Sequence, residues 1–311
     1  MSENPSNKPY ERLRYFGLAL DPIHVGSGGY RLGRVDMSIV REPGTLLPKI
    51  PGTSLAGACR AYAAMQENGK YPRCAGQGQA KGTNQGHCGQ PDCPICVTFG
   101  FSQGEGGSFQ GLAQFFDARL AFFPVYSLAG PVWVTCPMVL KDLGSAIQPN
   151  LQDHEVRVTS GIKHEGKLNL GWILLEVAKS PFKLDGNLTA IPEDIKQRAV
   201  LVSDKLFAHI VNDNLEVRTS VSIDPQTGAA AEKALFTYEA LPRASVVYLD
   251  IVVNHPRFYR IGDKIPLDGD MAKIQATVQK GLSLFEVLGI GGMNTRGMGR
   301  MQMILSLGGA S

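Results

Sequence analysis

The sequence contains no long uninterrupted hydrophobic run. One of its longest apolar stretches, residues 122–140, is broken by proline, glycine, serine and threonine, which is not typical of a membrane span. The N-terminal residues 1–14 are polar and lack the apolar segment of a secretory signal peptide. We therefore expect a protein that has no membrane partner and that works in the reducing cytoplasm.

A strong net charge is also missing. The 31 lysines and arginines nearly balance the 28 aspartates and glutamates, so the net charge at pH 7 is +3. Such a mildly basic chain can have a nucleic-acid partner, but this charge alone does not predict one. The 36 glycines and 19 prolines predict many turns and a β-rich or mixed fold, and 311 residues are enough for a large hydrophobic core.

Several motifs of catalysis and cofactor binding are absent. Two glycine-rich loops, residues 24–29 and 289–300, have neither the Gly-Lys-Ser/Thr ending of a P-loop nor the following helix of a dinucleotide fold. The sequence has no serine elbow, no cysteine-histidine nucleophile pattern and no local pair of carboxylates beside the candidate residues. Both loops can still bring backbone N–H groups close to an anion, although simple tight turns explain them equally well.

The hydrophobic pattern predicts a mixture of helices and strands. The predicted helices cover residues 53–67, where Thr53 or Ser54 can cap the start, 192–211, and 270–288. The predicted strands cover residues 13–20, 112–123, 131–140, 171–178, 245–254 and 301–307. The polar residues 142–170 predict a mobile loop or a β-excursion.

The main elements follow the order strand-helix-strand-strand-helix-strand, which is that of a ferredoxin-like (RRM-type) α+β core. We expect a single domain over residues 1–311 with a modified core of this kind and large insertions. The insertions are a long loop over 21–52, a cysteine-rich segment over 70–111, and a projecting β-arm over 216–241 that turns at 225–228.

Four cysteines in the 70–111 insertion have the spacing of a metal site, Cys-x13-Cys-x4-Cys-x2-Cys. They are Cys74, Cys88, Cys93 and Cys96. Zinc favours sulfur ligands in a tetrahedron, and a four-cysteine set is typical of a closed structural site. His87 is an alternative ligand, and free cysteines in a loop are the alternative to any metal site. The surrounding glycine- and glutamine-rich sequence has few apolar residues, so a bound zinc would organise it.

Residues 24–60 contain one histidine, His24, and one aspartate, Asp36, and both suit catalysis. Asp36 lies among arginines, including Arg41, where a carboxylate can hold a hydrated metal ion or act as a general base. His24 can transfer a proton or donate to a phosphate. The alternatives are a turn or salt bridge for Asp36 and a structural hydrogen bond for His24.

The β-arm combines aromatic and basic side chains. They belong to Arg218, Lys233, Phe236, Tyr238 and Arg243. Such a combination suits stacking on exposed bases and contact with backbone phosphates. A hairpin that packs on its own domain is the alternative.

Four stretches, taken together and in this order, resemble the RAMP superfamily. They read IPGTSLAGACR, FFDARLAFFPVYSLAGPVWVTCP, SIDPQTGAAAEKALFTYEALP and GGMNTRGMGR. More narrowly, the chain is similar to the repeated backbone subunit of type III CRISPR effector complexes, and residues 115–137 are closest to the type III-B (Cmr) form. The stretch HCGQPDCPICVTFG instead resembles the zinc-binding insertion of the type III-A (Csm) form.

This resemblance implies a modified RRM core that stacks head to tail along a guide RNA, with the β-arm as a thumb between guide bases. It implies that Asp36 cuts the paired target RNA at regular intervals, with Mg or another divalent ion, through attack by the target's own 2′-hydroxyl. The implied partners are guide RNA, target RNA, further copies of the chain and other type III effector subunits. A non-catalytic RNA-binding subunit of such a complex, or an unrelated zinc-stabilised phosphate-binding enzyme, are the alternatives.

We expect RNA contacts from both glycine-rich loops, the first helix and the β-arm. The expected residues are His24, Arg41, Lys49, Thr53, Ser54, Arg60, Arg218, Phe236, Gly291, Gly292, Asn294 and Arg296. The family often has a lysine facing the guide phosphate where this chain has Ala56. Lys49 or Arg60 can compensate for that difference.

Overall fold

The computed structural model describes residues 8–28, 35–76, 87–104, 107–145, 151–184, 188–230 and 235–306. The strands within these ranges are β1 Tyr10–Ala19, β2 Lys49–Ile50, β3 Gly100–Gly104, β4 Gly107–Gln110, β5 Ala113–Phe115, β6 Ala118–Val125, β7 Val132–Thr135, β8 Glu155–Val158, β9 Lys167–Leu170, β10 Ile173–Val177, β11 Ala199–Leu201, β12 Glu216–Ser220, β13 Phe236–Ala240, β14 Val246–Asn254 and β15 Met301–Leu305. The α-helices are α1 Gly52–Met65, α2 Pro94–Phe99, α3 Pro137–Asp142, α4 Glu193–Gln197, α5 Asp204–Asp213, α6 Met271–Ser283 and α7 Phe285–Leu288.

The α+β fold is organised by one large mixed sheet. Its strands follow the order β15-β1-β14-β6-β7-β11-β8-β10-β9, and β2 and β5 pair with β6 and β14 off this path. The first four of these strands pair antiparallel throughout. In β6, Leu120 to Phe123 are all buried, which is the continuous apolar run expected of a strand covered on both faces.

The two long helices α1 and α6 pack against each other, and α6 also contacts β14 and β15. Their approach is unusually close at Gly281, where an added Cβ would lie 2.3 Å from the carbonyl oxygen of Cys59. The buried Cys59 Sγ also donates to the carbonyl oxygen of Val278 at 3.4 Å. No helix in the described ranges is long and apolar enough to cross a membrane.

The β-arm over 216–241 pairs β12 with β13 antiparallel, from Glu216 opposite Ala240 to Ser220 opposite Phe236. A turn follows at 225–227, where the Gly228 N–H donates to the Asp224 carbonyl at 2.8 Å. Most side chains from 221 to 230 are exposed, so this part projects from the domain. Lys233, one of the predicted basic residues, lies outside the described residues.

The helix predicted over 192–211 is wrong in its middle. Residues there form α4, then β11, then α5, which begins after a cap in which Ser203 Oγ accepts from the Leu206 N–H at 3.3 Å. All side chains of β11 are buried, and the strand pairs parallel with β7 and antiparallel with β8. Pairing in the sheet therefore determined the structure of an apolar run that helical periodicity also fitted.

Other predicted boundaries also differ. The strand predicted over 131–140 ends at Thr135, because Pro137 opens helix α3. The segment 112–123 contains β5 and β6, and the helix predicted over 270–288 divides into α6 and α7 at Leu284. The strand predicted to be buried over 171–178 is β10, which exposes 60% of Leu174 and follows Trp172, which is 95% exposed.

The remaining corrections concern two loops. Residues 142–170 contain β8 and β9, so the β-excursion is the correct one of the two predictions for this segment. Helix α1 starts after Pro51 without a side-chain cap, so the predicted cap by Thr53 or Ser54 is wrong. Asp117 Oδ1 instead accepts the Gly52 N–H at 2.8 Å, which satisfies one of the free amides at the helix start.

Candidate nucleic-acid interface and metal centre

The four cysteines of the insertion converge into one buried cluster, which we call the cysteine cluster. Its members are Cys74, Cys88, Cys93 and Cys96. The Sγ atom of Cys74 lies 3.5, 3.7 and 4.0 Å from those of Cys88, Cys96 and Cys93, and the Sγ atoms of Cys88 and Cys96 lie 3.6 Å apart. All four Sγ atoms lie within 4.8 Å of one another. Zinc–sulfur bonds of about 2.3 Å place tetrahedral sulfurs about 3.8 Å apart, so the cluster has the size to hold such an ion. The buried His87 is not a member of this ligand group.

Arg60 lies beside the cysteine cluster rather than on an open surface. Its Nε donates to the carbonyl oxygen of Cys74 at 2.7 Å. A metal bound by four thiolates carries net negative charge, which a neighbouring guanidinium compensates. The structure therefore places Arg60 in contact with the cysteine cluster.

The first loop, β13 and the second glycine-rich loop meet at one place. We define the junction as residues 35–41, β13 and residues 290–298. Met37 forms a parallel bridge with Tyr238, and His24, just before the junction in sequence, forms an antiparallel bridge with Gly292. Beneath the surface, Tyr238 packs with Met298 and the half-buried Met37 in a small apolar cluster. Three segments that are distant in sequence are thus fixed against one another.

Asp36 is exposed at the junction, and its carboxylate is held by a single residue of β13. Asp36 Oδ2 accepts the backbone N–H of Thr237 at 2.7 Å and the Thr237 hydroxyl at 2.8 Å. The Asp36 N–H donates back to Thr237 Oγ1 at 3.1 Å. The backbone N–H and then the hydroxyl of Thr237 lower the pKa of Asp36, because both bonds stabilise the ionised form. The hydrogen bonds among the described residues do not use Oδ1.

Glu239, two residues after Thr237 on β13, anchors the same loop through its buried carboxylate. Its buried carboxylate accepts the Ile39 N–H at 2.8 Å and binds the Arg41 guanidinium through both oxygens, at 2.5 and 2.9 Å. Arg41 Nε also donates to Asn212 Oδ1 at 2.8 Å. The guanidinium predicted to contact RNA is thus engaged in a bidentate internal ion pair.

His24 is buried, with 3% of its surface exposed. Its Nδ1 lies 2.7 Å from the carbonyl oxygen of Glu239, so Nδ1 carries the proton and donates. The ring also meets Tyr238 edge-on at 5.9 Å between centroids. This is the structural hydrogen bond that the sequence left open as the alternative, and the ring is buried instead of open to solvent.

The exposed side of the junction carries an aromatic and a cationic residue. The guanidinium of the exposed Arg296 lies 5.6 Å from the ring centre of Phe236, which is a cation–π distance. Asn294 is exposed and donates to the Leu288 carbonyl oxygen at 3.1 Å. Gly291 and Gly292 are both exposed, but Gly291 also lies close to the first loop, because a Cβ there would lie 2.4 Å from the carbonyl oxygen of His24.

The other residues predicted to contact RNA belong to other segments or are paired with a carboxylate. Lys49 Nζ binds Asp117 at 2.6 Å, and Arg218 Nε binds Glu216 at 2.6 Å. Thr53 is exposed and Ser54 is half-buried in the first turn of α1. Of the predicted contacts, Phe236, Asn294 and Arg296 belong to segments that form the junction, as Asp36 does.

Sequence reasoning missed Thr237 and Glu239. Both lie on β13 at alternate positions, where their side chains share one face of the strand. A glutamate inside the apolar sequence FTYEAL is an unusual buried charge and indicates a partner. That signal was available for Glu239, whereas nothing in the sequence distinguishes Thr237 from a strand threonine.

Comparison with known proteins places the chain among related sequences and folds. The model of the RAMP superfamily matches residues 18–302. The chain is 30% identical over 308 residues to the CRISPR system Cmr endoribonuclease Cmr4 of Pyrococcus furiosus, and this match covers 92% of each chain.

Solved structures share the fold at lower identity. The type III-B Cmr-beta structure in the apo state aligns with a TM-score of 0.67 and 16% identity, over 96% of this chain and 98% of that chain. Cmr-beta bound to cognate target RNA aligns with a TM-score of 0.66 and 16% identity, over 96% and 99%. Oligomeric Cmr4 from Pyrococcus furiosus aligns with a TM-score of 0.61 and 23% identity, over 96% and 98%.

Proposed function

Because the chain belongs to the RAMP superfamily, as a backbone subunit of the type III-B (Cmr) kind, we propose that it assembles along guide RNA and cleaves paired target RNA. Asp36 is the proposed cleaving residue. The observation that carries the proposal is its exposed carboxylate, fixed by Thr237 at the junction. The Pyrococcus relative is named an endoribonuclease, and Cmr-beta is described with cognate target RNA, which supports the same activity here.

The proposed architecture is a modified ferredoxin-like core with a thumb and a zinc-binding insertion. The order β15-β1-β14-β6 supports this core, since its fourth, first, third and second strands lie side by side in such a fold. The β-arm is the proposed thumb, because its exposed end projects from the domain. Structural zinc is the proposed occupant of the cysteine cluster.

The proposed cleavage uses the target RNA's own 2′-hydroxyl as the nucleophile. When a nucleotide is turned out of the helix, its 2′-oxygen can align with the neighbouring phosphorus, so the protein need not supply a nucleophile. The 2′-oxygen forms a bond to phosphorus while the bond to the 5′-oxygen of the next nucleotide breaks. Asp36 assists by accepting the proton of the 2′-hydroxyl, and the departing 5′-oxygen takes a proton from water. The products are a 2′,3′-cyclic phosphate and a 5′-hydroxyl.

A divalent ion for cleavage fits the junction only if the RNA supplies ligands in addition to Asp36. Asp36 offers one carboxylate, and the cysteine cluster is the only group of three or more candidate metal ligands among the described residues. Magnesium is commonly held by one or two carboxylates together with phosphate oxygens and water. Asp36 would therefore hold such an ion together with the RNA, and the ion would stabilise charge on the phosphate.

The proposed RNA surface is the exposed side of the junction together with the start of α1. Phe236 and Arg296 provide a ring and a guanidinium for stacking on a turned-out base. Gly292 and Asn294 border them, and the hydroxyls of Thr53 and Ser54 in the first turn of α1 suit contact with a phosphate. His24, Gly291, Arg41, Lys49, Arg60 and Arg218 are assigned structural roles by their internal contacts.

The proposed partners are guide RNA, target RNA, further copies of the chain and other subunits of a type III effector. The near balance of 31 basic and 28 acidic residues suits a chain that shares one RNA with many copies, because each copy then needs only weak affinity.

The test is cleavage of labelled complementary RNA by the complex assembled on a guide. We expect regularly spaced products with cyclic-phosphate ends, and no products with Asp36→Ala. RNA binding without cutting by the unchanged protein would support the non-catalytic alternative instead. A monomer that neither co-purifies with RNA nor binds it would support the unrelated phosphate-binding enzyme.

A further inference from the structure

We infer that Thr237 is a positioning residue for RNA cleavage, and that through it the β-arm sets the orientation of the Asp36 carboxylate. The inference rests on the proposed function, since it concerns the residue proposed to cleave. The inference goes beyond the proposed function because it assigns the orientation of the Asp36 carboxylate to Thr237, which lies 201 residues away in the sequence.

The hydrogen bonds around Asp36 form a closed arrangement. The Thr237 hydroxyl donates to Asp36 Oδ2 at 2.8 Å while its oxygen accepts the Asp36 N–H at 3.1 Å. The Thr237 N–H supplies a second bond to Oδ2 at 2.7 Å. These bonds hold Oδ2 in place, and no hydrogen bond among the described residues uses Oδ1, so Oδ1 is the oxygen we assign to the substrate.

The backbone around this pair is also fixed. The Met37 N–H donates to the Thr237 carbonyl oxygen at 3.1 Å, and the Glu239 N–H donates to the Met37 carbonyl oxygen at 3.2 Å. Residues 36–39 therefore run beside β13 like a short extra strand. A shift of β13 would carry Asp36 with it, which couples the arm proposed to separate bases to the residue proposed to cut between them.

Thr237 suits this role by its chemistry. Its hydroxyl can donate and accept at once, and its branched Cβ favours the extended backbone of a strand. Valine has nearly the same shape and removes both hydroxyl bonds, whereas serine keeps both and removes only a methyl group. No charged side chain among the described residues contributes to the pKa shift of Asp36, so the hydroxyl is the side-chain group to remove.

The experiment compares Thr237→Val and Thr237→Ser in the assembled complex, using single-turnover cleavage of labelled complementary RNA. We expect Thr237→Val to slow cleavage by about 10- to 100-fold, the range for losing a hydrogen bond to a charged group, with unchanged RNA affinity. Thr237→Ser should restore the rate to within about threefold of the unchanged protein, since both hydroxyl bonds remain. Equal rates for all three proteins would overturn the inference.

Two controls separate this inference from its premise and from damage to the arm. Thr219 lies directly opposite Thr237 on β12 and is exposed, so Thr219→Val makes the same change in the same hairpin without touching Asp36. It should cleave at the normal rate, and an equal loss in both valine variants would contradict the inference. Asp36→Asn tests the premise: full cleavage by this variant would refute the proposed function, whereas loss with Asp36→Asn and none with Thr237→Val would refute only the role of Thr237.

A third comparison adds Thr237→Val to Asp36→Asn. If Thr237 acts through the carboxylate, the second change should cause no further loss once the carboxylate is gone. A further loss of the same size as in the single variant would show that Thr237 acts independently of Asp36, and would also overturn the inference.

Discussion

The cysteine cluster and the junction are both places where side chains converge, but they are built in opposite ways. All ligands of the cluster come from residues 74–96, and a bound ion would hold them together. The junction joins Asp36 to Thr237 across 201 residues and rests on the pairing of a loop with β13. The order of the first would depend on a bound metal and on local spacing, and the second depends on the completed fold.

This difference predicts how each region fails. Removing one cysteine from the cluster would take away the main source of order around residues 74–93, because this part of the insertion has little apolar filler. Removing an exposed side-chain group of the junction, such as the Thr237 hydroxyl, leaves the sheet and core in place and changes the position of one exposed carboxylate. Damage to the cluster should therefore appear as lost metal and stability. At the junction, damage to the exposed Asp36–Thr237 pair should appear mainly as lost activity, whereas damage to the buried Glu239 or to the close contact at Gly291 should appear as lost stability.

The largest effect is expected from Cys96→Ser. The variant should lose its metal and several kcal/mol of stability, since structural zinc contributes about 10–16 kcal/mol of apparent binding free energy in zinc-finger peptides. Elemental analysis and urea unfolding measure both quantities, with about one zinc per chain expected for the unchanged protein. Cys136→Ala is the matched control, because Cys136 is equally buried but outside the cluster. An unchanged protein that is fully folded without metal would contradict the assignment.

The next largest effect is expected from Glu239→Ala. The change leaves the Arg41 guanidinium without its carboxylate and the Ile39 N–H without its acceptor, so about 3–5 kcal/mol of unfolding free energy should be lost. Lys205→Ala breaks the exposed pair with Asp153 and should cost less than about 1 kcal/mol. Urea unfolding measures the free energy of unfolding of both variants. Equal losses in the two variants would mean that the buried Glu239–Arg41 pair does not anchor the loop.

A smaller difference in stability is expected between alanine substitutions at two glycines of the second glycine-rich loop. Gly291 and Gly297 have φ of +78° and +75°, but only Gly291 has backbone within 4 Å of an added Cβ. Gly297→Ala should cost about 1–2 kcal/mol from the left-handed conformation alone. Gly291→Ala should cost clearly more, because the methyl group would meet the carbonyl oxygen of His24. Thermal unfolding of the two variants measures the difference in their stability. If Gly291→Ala were as stable as Gly297→Ala, residue 291 would not lie in close contact with the His24 carbonyl oxygen.

The smallest effect concerns the ionisation of Asp36. The hydrogen bonds from Thr237 hold the folded-state pKa of Asp36 below its ordinary value, so their contribution to stability is present above the unfolded-state pKa and is lost as pH falls through the folded-state pKa. Because the group is exposed, this contribution is small. Carbon NMR of labelled aspartate should give a lower pKa for Asp36 in the unchanged protein than in Thr237→Val. The same pKa in both proteins would mean that the hydroxyl bond does not persist in solution.

The cysteine cluster could be predicted from the sequence, because its ligand spacing is itself the geometric requirement. The α+β class and the loop that carries Asp36 were also predictable, since apolar periodicity marks most of the main elements. Strand β11 was not, because three buried residues between two short helices fit a helix as well as a strand until their partners are known. The sheet, and not the local sequence, selects the strand.

The surroundings of Asp36 could not be predicted for a similar reason. Arg41, Lys49 and Arg218 are basic residues near expected RNA contacts, and sequence alone cannot show that each binds a carboxylate of its own chain. The partners of Asp36 and Arg41 lie on β13, which becomes adjacent to the loop only when the fold is complete. Thr237 was missed because one strand threonine is indistinguishable from another without that register.

The most direct test of the central claim compares single-turnover cleavage by Asp36→Asn and Asp263→Asn in the assembled complex. Asp263 is exposed in a turn away from the junction, so the two variants make the same change in charge. We predict that Asp36→Asn slows cleavage by about 10²–10⁴-fold, the usual contribution of a general acid or base, while binding of target RNA is unchanged. Asp263→Asn should cleave at the normal rate. Normal cleavage by Asp36→Asn, at the same positions in the target, would contradict the account.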